Sequence, residues 1–156
     1  VDPYGITFWP TFKGRDGCRT PMPWSDQAHG GFTEATVTPW LPVPTEHLMR
    51  SAASQVNEPQ SILALTKRLL TFRRGHPALQ GEEFSLIGSD PRVLVFDRRG
   101  GGQVLRCCFN LSHESTSVRL DDGADWALAE VGEGSERSAP DVLELAPWSW
   151  AFLGRM

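Results

Sequence analysis

The spacing of apolar residues along this chain changes twice. Between Glu58 and Arg74, Ile62, Leu65, Leu69 and Phe72 recur every three or four positions, with Leu63 and Leu70 beside them. That period belongs to one face of an α-helix, so the spacing predicts a helix over about Glu58–Arg74. Asn57 or Glu58 can cap its start, and Pro59 suits its first turn. Lys67, Arg68, Arg73 and Arg74 gather at its end, where cations favour the helix dipole. Gly75 is the expected C-cap, and Pro77 blocks continuation. From about Gly81 the apolar period shortens to that of strands. The expected strands are Glu83–Ile87, Val93–Arg98, Val104–Asn110, Thr116–Leu120, Trp126–Val131, Val142–Leu145 and Trp148–Leu153. Turns are expected at Gly88-Ser89-Asp90-Pro91, Arg99-Gly100-Gly101-Gly102 and Asp121-Asp122-Gly123. Gly132–Ser138 reads as a polar loop. Short strands with regular turns predict an antiparallel β-sandwich.

Residues 1 to about 57 show no clean period. Asp2-Pro3-Tyr4-Gly5-Ile6-Thr7-Phe8-Trp9-Pro10 and Trp40-Leu41-Pro42-Val43-Pro44 are aromatic and proline-rich. Short helical turns are expected near Pro3–Phe8 and Glu46–Ala53. An irregular run this long suits an active-site loop folded against a larger body.

Composition narrows the function. The net charge of −4 gives no basic face for nucleic acid. No apolar run approaches the roughly 20 residues that span a bilayer. The chain starts at Val1 without a secretory leader, which points to processing or truncation upstream. Cys18, Cys107 and Cys108 form an odd set with one adjacent pair, a poor disulfide framework. A reducing, cytoplasmic setting is the expectation. On a strand, Cys107 and Cys108 point to opposite faces. His29, His47, His76 and His113 are scattered, so neither a metal nor another cofactor is expected.

The densest chemistry lies in Gly14-Arg15-Asp16-Gly17-Cys18-Arg19-Thr20-Pro21-Met22-Pro23-Trp24. Its glycines and prolines make it an ordered loop. Two cations, one anion and a flat aromatic form a wall suited to a polyhydroxyl ligand. With His29-Gly30-Gly31-Phe32, this segment resembles the alpha-glucosidase branch of glycoside hydrolase family 13, the alpha-amylase superfamily. The helix ending Lys67-Arg68-Leu69-Leu70-Thr71-Phe72-Arg73-Arg74 resembles the last barrel helix of that family. Val104–Asn110 and Pro147–Leu153 resemble its C-terminal sandwich.

The resemblance implies a mixed fold: residues 1–80 as the last loop and helix of a (β/α)8 barrel, residues 81–156 as an antiparallel all-β sandwich. A whole barrel needs roughly 250 residues, which do not fit before residue 80. The family's nucleophile, acid/base and stabilising aspartate all precede this loop. The chain is therefore expected to be the C-terminal portion of a retaining alpha-glucosidase, inactive alone. Its partners are an alpha-glucoside, met through the complete protein, and the upstream barrel; oligomeric state stays open.

Retaining hydrolysis needs two carboxyl groups about 5 Å apart. The carboxylates within reach of the loop or the domain join are Asp2, Asp16, Asp26, Glu82 and Glu83, none at a barrel strand end, and no catalytic residue is assigned. Arg15 is the expected substrate contact: the resemblance places it in the pocket for the non-reducing glucose, and a guanidinium has five fixed donors for hydroxyls. The alternative is an arginine that pins the loop. Asp16, Arg19 and Trp24 are expected to brace the loop, the first two by pairing locally and Trp24 as loop core. Cys18 reads as a buried inert thiol despite its two arginine neighbours. Trp148 and Trp150 would share one strand face, as a core pair or a sugar platform. Asn110-Leu111-Ser112 matches a glycosylation acceptor triplet.

The sequence also admits two other functions. One is a non-catalytic carbohydrate-binding or interaction module. The other is a glucosyl-rearranging relative of the trehalose synthase or sucrose isomerase type.

Overall fold

The structure is a computed structural model that describes all residues except Ser89, Asp121, Asp122, Ala124 and Met156. The turns expected around Ser89 and at Asp121-Asp122 fall partly outside the described residues. By packing, the chain divides into two compact units, Val1–Leu69 and Leu70–Met156.

The first unit is mostly irregular. Helix α1 spans Pro3–Phe8, α2 spans Thr45–Leu48 and α3 spans Ala52–Gln55. Asp2 caps α1 by accepting the Tyr4 N–H, with Pro3 in the first turn. Ser51 interrupts the helical turn expected at Glu46–Ala53: its backbone is extended, and its hydroxyl accepts the Ser54 N–H to start α3.

Helix α4 runs Ile62–Gly75 and crosses from one unit to the next. It starts later than its apolar spacing predicts. Ser61 Oγ accepts the Ala64 N–H at 3.1 Å, and Gln55 Oε1 accepts the Leu63 N–H at 3.1 Å. These two acceptors satisfy helix-start donors that nothing at Asn57 or Glu58 reaches. The other end also differs from expectation. Gly75 is the last helical residue and has no left-handed backbone. The final carbonyls are met by side chains instead. His76 Nδ1 lies 2.7 Å from the Phe72 carbonyl, and Gln80 Nε2 donates to the Arg74 carbonyl at 3.1 Å.

The second unit is an antiparallel sandwich. Its strands are β1 Glu83–Ile87, β2 Val93–Gly100, β3 Gln103–Asn110, β4 Thr116–Arg119, β5 Trp126–Val131, β6 Glu136–Ala139, β7 Val142–Leu145 and β8 Trp150–Arg155. One sheet has the order β1-β2-β3-β8-β5 and the other β4-β7-β6. Val95, Cys108, Val118, Leu120, Trp126, Leu143, Leu145, Ala151 and Leu153 form the core. The β2–β3 hairpin pairs Gly100 with Gln103, and Gly101 and Gly102 take φ of 58° and 77°. A two-residue turn with both central φ positive needs such residues.

Two expectations are corrected here. β6 lies inside the segment read as a polar loop. Its residues Glu-Arg-Ser-Ala offer no apolar alternation because it is an edge strand, paired only with β7 among the described strands. Trp148 is not in the last strand. Its φ is 55°, outside the β region, so β8 starts at Trp150 and the two tryptophans share no strand face.

Candidate functional site

The Gly14–Trp24 loop closes back on the start of the chain. Gly5 and Gly14 make the crossing: a Cβ on Gly5 would sit 2.9 Å from Gly14 Cα, and Gly14 has φ +81°. No side chain fits at the first position, and few tolerate the backbone of the second. This approach brings Arg15 onto Asp2.

Arg15 Nε donates to Asp2 Oδ2 and Arg15 Nη2 to Asp2 Oδ1, both at 2.8 Å. The Arg15 backbone N–H donates to Asp2 Oδ2 at 2.8 Å, and the Tyr4 N–H to Oδ1 at 3.2 Å. The Asp2 side chain is 1% exposed and that of Arg15 46%. Side-chain hydrogen bonds from Arg15 are the main cause holding the Asp2 carboxyl far below the usual carboxylate range, against a smaller opposing effect of burial. The same bonds push the Arg15 guanidinium upward. The Arg15 guanidinium carbon also lies 5.4 Å from the Tyr4 ring centroid.

A guanidinium has five N–H donors. Two of Arg15's go to Asp2, and Nη1 has no bond among the described residues. Arg15 thus pins the loop to a buried carboxylate, and its Nη1 donors are not used by the described residues.

Asp16 does not pair with Arg19. Its Oδ2 accepts the Asp2 N–H at 3.0 Å and lies 2.6 Å from the Val1 nitrogen. The link to Arg19 is backbone, from the Arg19 N–H to the Asp16 carbonyl at 3.0 Å. The Arg19 side chain is exposed and makes no ion pair among the described residues. A tight 3-10 turn over Asp16–Cys18 is what separates the two charges.

Trp24 is not loop core. Its side chain is 55% exposed, and its main chain carries the bracing. The Trp24 N–H donates to the Gly30 carbonyl at 2.7 Å, and the Trp24 carbonyl accepts the Ala53 N–H at 2.9 Å. Gly30 has φ +67°, and a Cβ there would sit 3.0 Å from Pro23 Cα. Cys18 is exposed rather than buried, with Sγ 3.0 Å from the Arg15 carbonyl.

The carboxylates present do not form an acid/base pair. A general acid needs a raised pKa, whereas Asp2 is lowered by its hydrogen bonds from Arg15, and Asp16 Oδ2 is taken up by the Asp2 N–H. Asp26, Glu82 and Glu83 are exposed. Among the described residues no cluster of three or more His, Cys, Asp or Glu could hold a metal, and no helix is long and apolar enough to cross a membrane.

Sequence reasoning missed Asp2 as the partner of Arg15. The signal was present in Gly5 and Gly14, whose close approach the two flanking glycine-containing segments permit. Asn110 has a structural task that excludes glycosylation of the folded chain. It is 2% exposed, and its Nδ2 donates to the Glu114, Ala146 and Leu145 carbonyls at 2.7, 2.9 and 3.3 Å.

Known proteins share this sequence and fold. The profile of the alpha amylase catalytic domain matches residues 4–82. A probable alpha-glucosidase of Rhizobium meliloti (strain 1021) is 45% identical over 155 residues, which is 99% of this chain and 27% of that protein. An oligo-1,6-glucosidase of Parageobacillus thermoglucosidasius is 31% identical over 88% of this chain and 25% of its own length. The chain therefore spans about a quarter of the curated relatives it matches. The crystal structure of an alpha-glucosyl transfer enzyme, XgtA, superposes with a TM-score of 0.90 at 36% identity, over 100% of this chain and 29% of that one. The trehalulose synthase MutB superposes with a TM-score of 0.79 at 26% identity, over 98% of this chain and 30% of that one. On the profile match and the 45% identity together, the chain belongs to the alpha-amylase family, glycoside hydrolase family 13.

Proposed function

We propose that this chain is the C-terminal segment of a retaining alpha-glucosidase that cleaves alpha-glucosidic bonds of short oligosaccharides. The observation that carries the reading is the two-point grip of Asp2 on Arg15, which leaves Nη1 without a partner in a loop matching the family. Residues 1–80 contribute the last pocket loop and last helix of the barrel. Residues 81–156 are the sandwich that buttresses it. Arg15 hydrogen-bonds hydroxyls of the non-reducing glucose. The nucleophile and the acid/base come from polypeptide upstream, because the carboxylates here are paired or solvent-exposed. Tyr4, Ile6, Phe8, Trp9 and Trp40 are each more than half exposed, which supports a larger body against which this segment packs.

The test uses the full-length protein and the 156-residue chain side by side. The full protein releases glucose from an aryl alpha-glucoside and the short chain does not. Arg15→Ala in the full protein lowers kcat/KM by about 100-fold, the scale for removing one preorganised donor. Glucose release by the short chain, or full activity of the Arg15→Ala protein, rejects the reading.

A second reading has its own support. The structure that superposes at 0.90 is described as an alpha-glucosyl transfer enzyme. Product analysis separates the two: hydrolysis gives free glucose as the main product, and transfer gives a new glucoside.

A further inference from the structure

We propose that Asp2 is a positioning residue, whose carboxylate fixes the plane and rotamer of the Arg15 guanidinium so that its remaining donors meet the glucosyl hydroxyls. This rests on the sugar-contacting role given to Arg15 above.

Three features separate this pair from an ordinary surface ion pair. The first is asymmetry. Asp2 is almost wholly buried while Arg15 is about half exposed, so one partner is anchored and the other presented. The second is that the anchor is itself held. Asp2 accepts four hydrogen bonds: two from the Arg15 side chain, one from the Arg15 N–H and one from the Tyr4 N–H. Both carboxylate oxygens are therefore fixed by backbone as well as by the guanidinium. The third is the third point of contact. The Tyr4 ring lies beneath the guanidinium carbon and restrains tilting that a two-point grip alone allows. Arg15 is thus set by one carboxylate and one ring, both on or next to a single short helix.

The consequence for catalysis is preorganisation. A long, flexible side chain at a sugar pocket samples several rotamers, and each binding event must select one. Fixing Nε and Nη2 on Asp2 makes that selection before the substrate arrives. The Gly5–Gly14 crossing belongs to the same device, because it lets the loop come close enough for the grip.

The experiment is chemical rescue in the full-length protein. Four forms are compared with an aryl alpha-glucoside: wild type, Arg15→Ala, Asp2→Asn, and the double variant. Thermal unfolding of each checks its folding. Guanidinium ion at tens of millimolar is expected to restore activity to Arg15→Ala by about 10-fold, because it docks on the vacated carboxylate. The double variant gains nothing, because the carboxylate is gone. Asp2→Asn alone is expected to lose kcat/KM within about 10-fold of the Arg15→Ala loss. A purely structural role for Asp2 cannot produce the difference in rescue. Equal rescue in both backgrounds overturns the proposal, as does full activity of Asp2→Asn beside an impaired Arg15→Ala. Full activity of Arg15→Ala overturns the underlying reading of Arg15 instead. If Asp2→Asn does not fold, a crystal structure of the wild-type full-length protein with glucose decides. Arg15 bonded to both Asp2 and a glucose hydroxyl supports the proposal, and Arg15 swung off Asp2 to meet the sugar overturns it.

Discussion

Phe72, near the end of α4, stacks on Phe152 of β8 with ring centroids 5.1 Å apart and planes 14° from parallel. The contact ties the last helical turn to the sheet face that looks away from the sandwich core. Phe84, Phe96, Phe109 and Trp150 continue the same face as a chain of ring contacts. Phe152 is 8% exposed, whereas Phe84 is 55% exposed, so the helix end covers one side of this face and leaves the other open.

That contact predicts a measurable coupling. Phe152→Ala should destabilise the second unit by about 3 kcal/mol, and half-buried Phe72→Ala by about half as much. A double-mutant cycle in urea should return about 1 kcal/mol between them, as offset-stacked rings give. Simple additivity would mean that the stack contributes nothing beyond each ring's own burial.

Asp97 and Arg106 face each other across β2 and β3, bonded at 2.8 and 3.1 Å and both buried. Arg106 also lies 4.3 Å from the Trp126 ring centroid. Removing Arg106 takes both close hydrogen bonds from the buried Asp97 carboxylate and leaves it, among the described residues, only the longer 3.7 Å contact with half-exposed Arg99. Arg106→Met should therefore cost about 3–5 kcal/mol, while Asp97→Leu combined with Arg106→Met should recover most of the loss. A double variant as unstable as Arg106→Met would show that the charge left behind is not the source of the damage.

Much of the sandwich is legible because its signals are local. Val93, Val95 and Asp97 alternate onto one face of β2, and Val104, Arg106 and Cys108 onto the same face of β3. Once Gly101 and Gly102 set the hairpin register, the buried pair of Asp97 and Arg106 follows from counting. β6 was illegible because an edge strand need not alternate apolar and polar residues. The candidate site was half legible. The loop motif marks Arg15, but Asp2 lies thirteen residues away in an irregular segment, and no periodicity connects them. Trp24 shows the opposite failure: a large apolar side chain was assigned to a core that the described residues do not provide.

Asn110 is a polar keystone, and its variants should rank in an unusual order. Its Nδ2 donates to three carbonyls, and its Oδ1 accepts from the Ser112 N–H and hydroxyl. Asn110→Ala leaves those carbonyls unpaired and should cost about 2–3 kcal/mol. Asn110→Asp replaces the donor by an anion facing the same carbonyls and should cost more, although it is the closer isostere. The reverse order, measured by thermal unfolding at neutral pH, would show that packing rather than hydrogen bonding fixes this residue.

The three thiols should separate cleanly. Burial pushes the Cys107 and Cys108 thiols up to about 12, so at mild alkaline pH both stay protonated inside the sheet. Cys18 is exposed on the loop. An aromatic disulfide reagent should label one thiol per folded chain rapidly and all three after denaturation. Cys18→Ser should remove the fast phase. A second fast thiol in the folded chain would mean that β3 opens more readily than its burial implies.

The Asp2 carboxyl offers a direct reading of the loop through acid. Its folded-state pKa is depressed, mainly by hydrogen bonds from Arg15. A carboxyl lowered on folding stabilises the fold above its unfolded value, about 4, and loses that contribution as pH falls through the folded value. The Arg15 and Tyr4 amide protons both point at this carboxylate, so their NMR shifts report its charge. They should stay flat from neutral pH down to about 3, where a free aspartate would be mostly protonated. Below that the loop should loosen, and Arg15→Ala should move the midpoint up toward 4. A midpoint near 4 in the unaltered chain would mean that Arg15 does not grip Asp2 in solution, and both the loop geometry and the positioning role built on it would have to be abandoned.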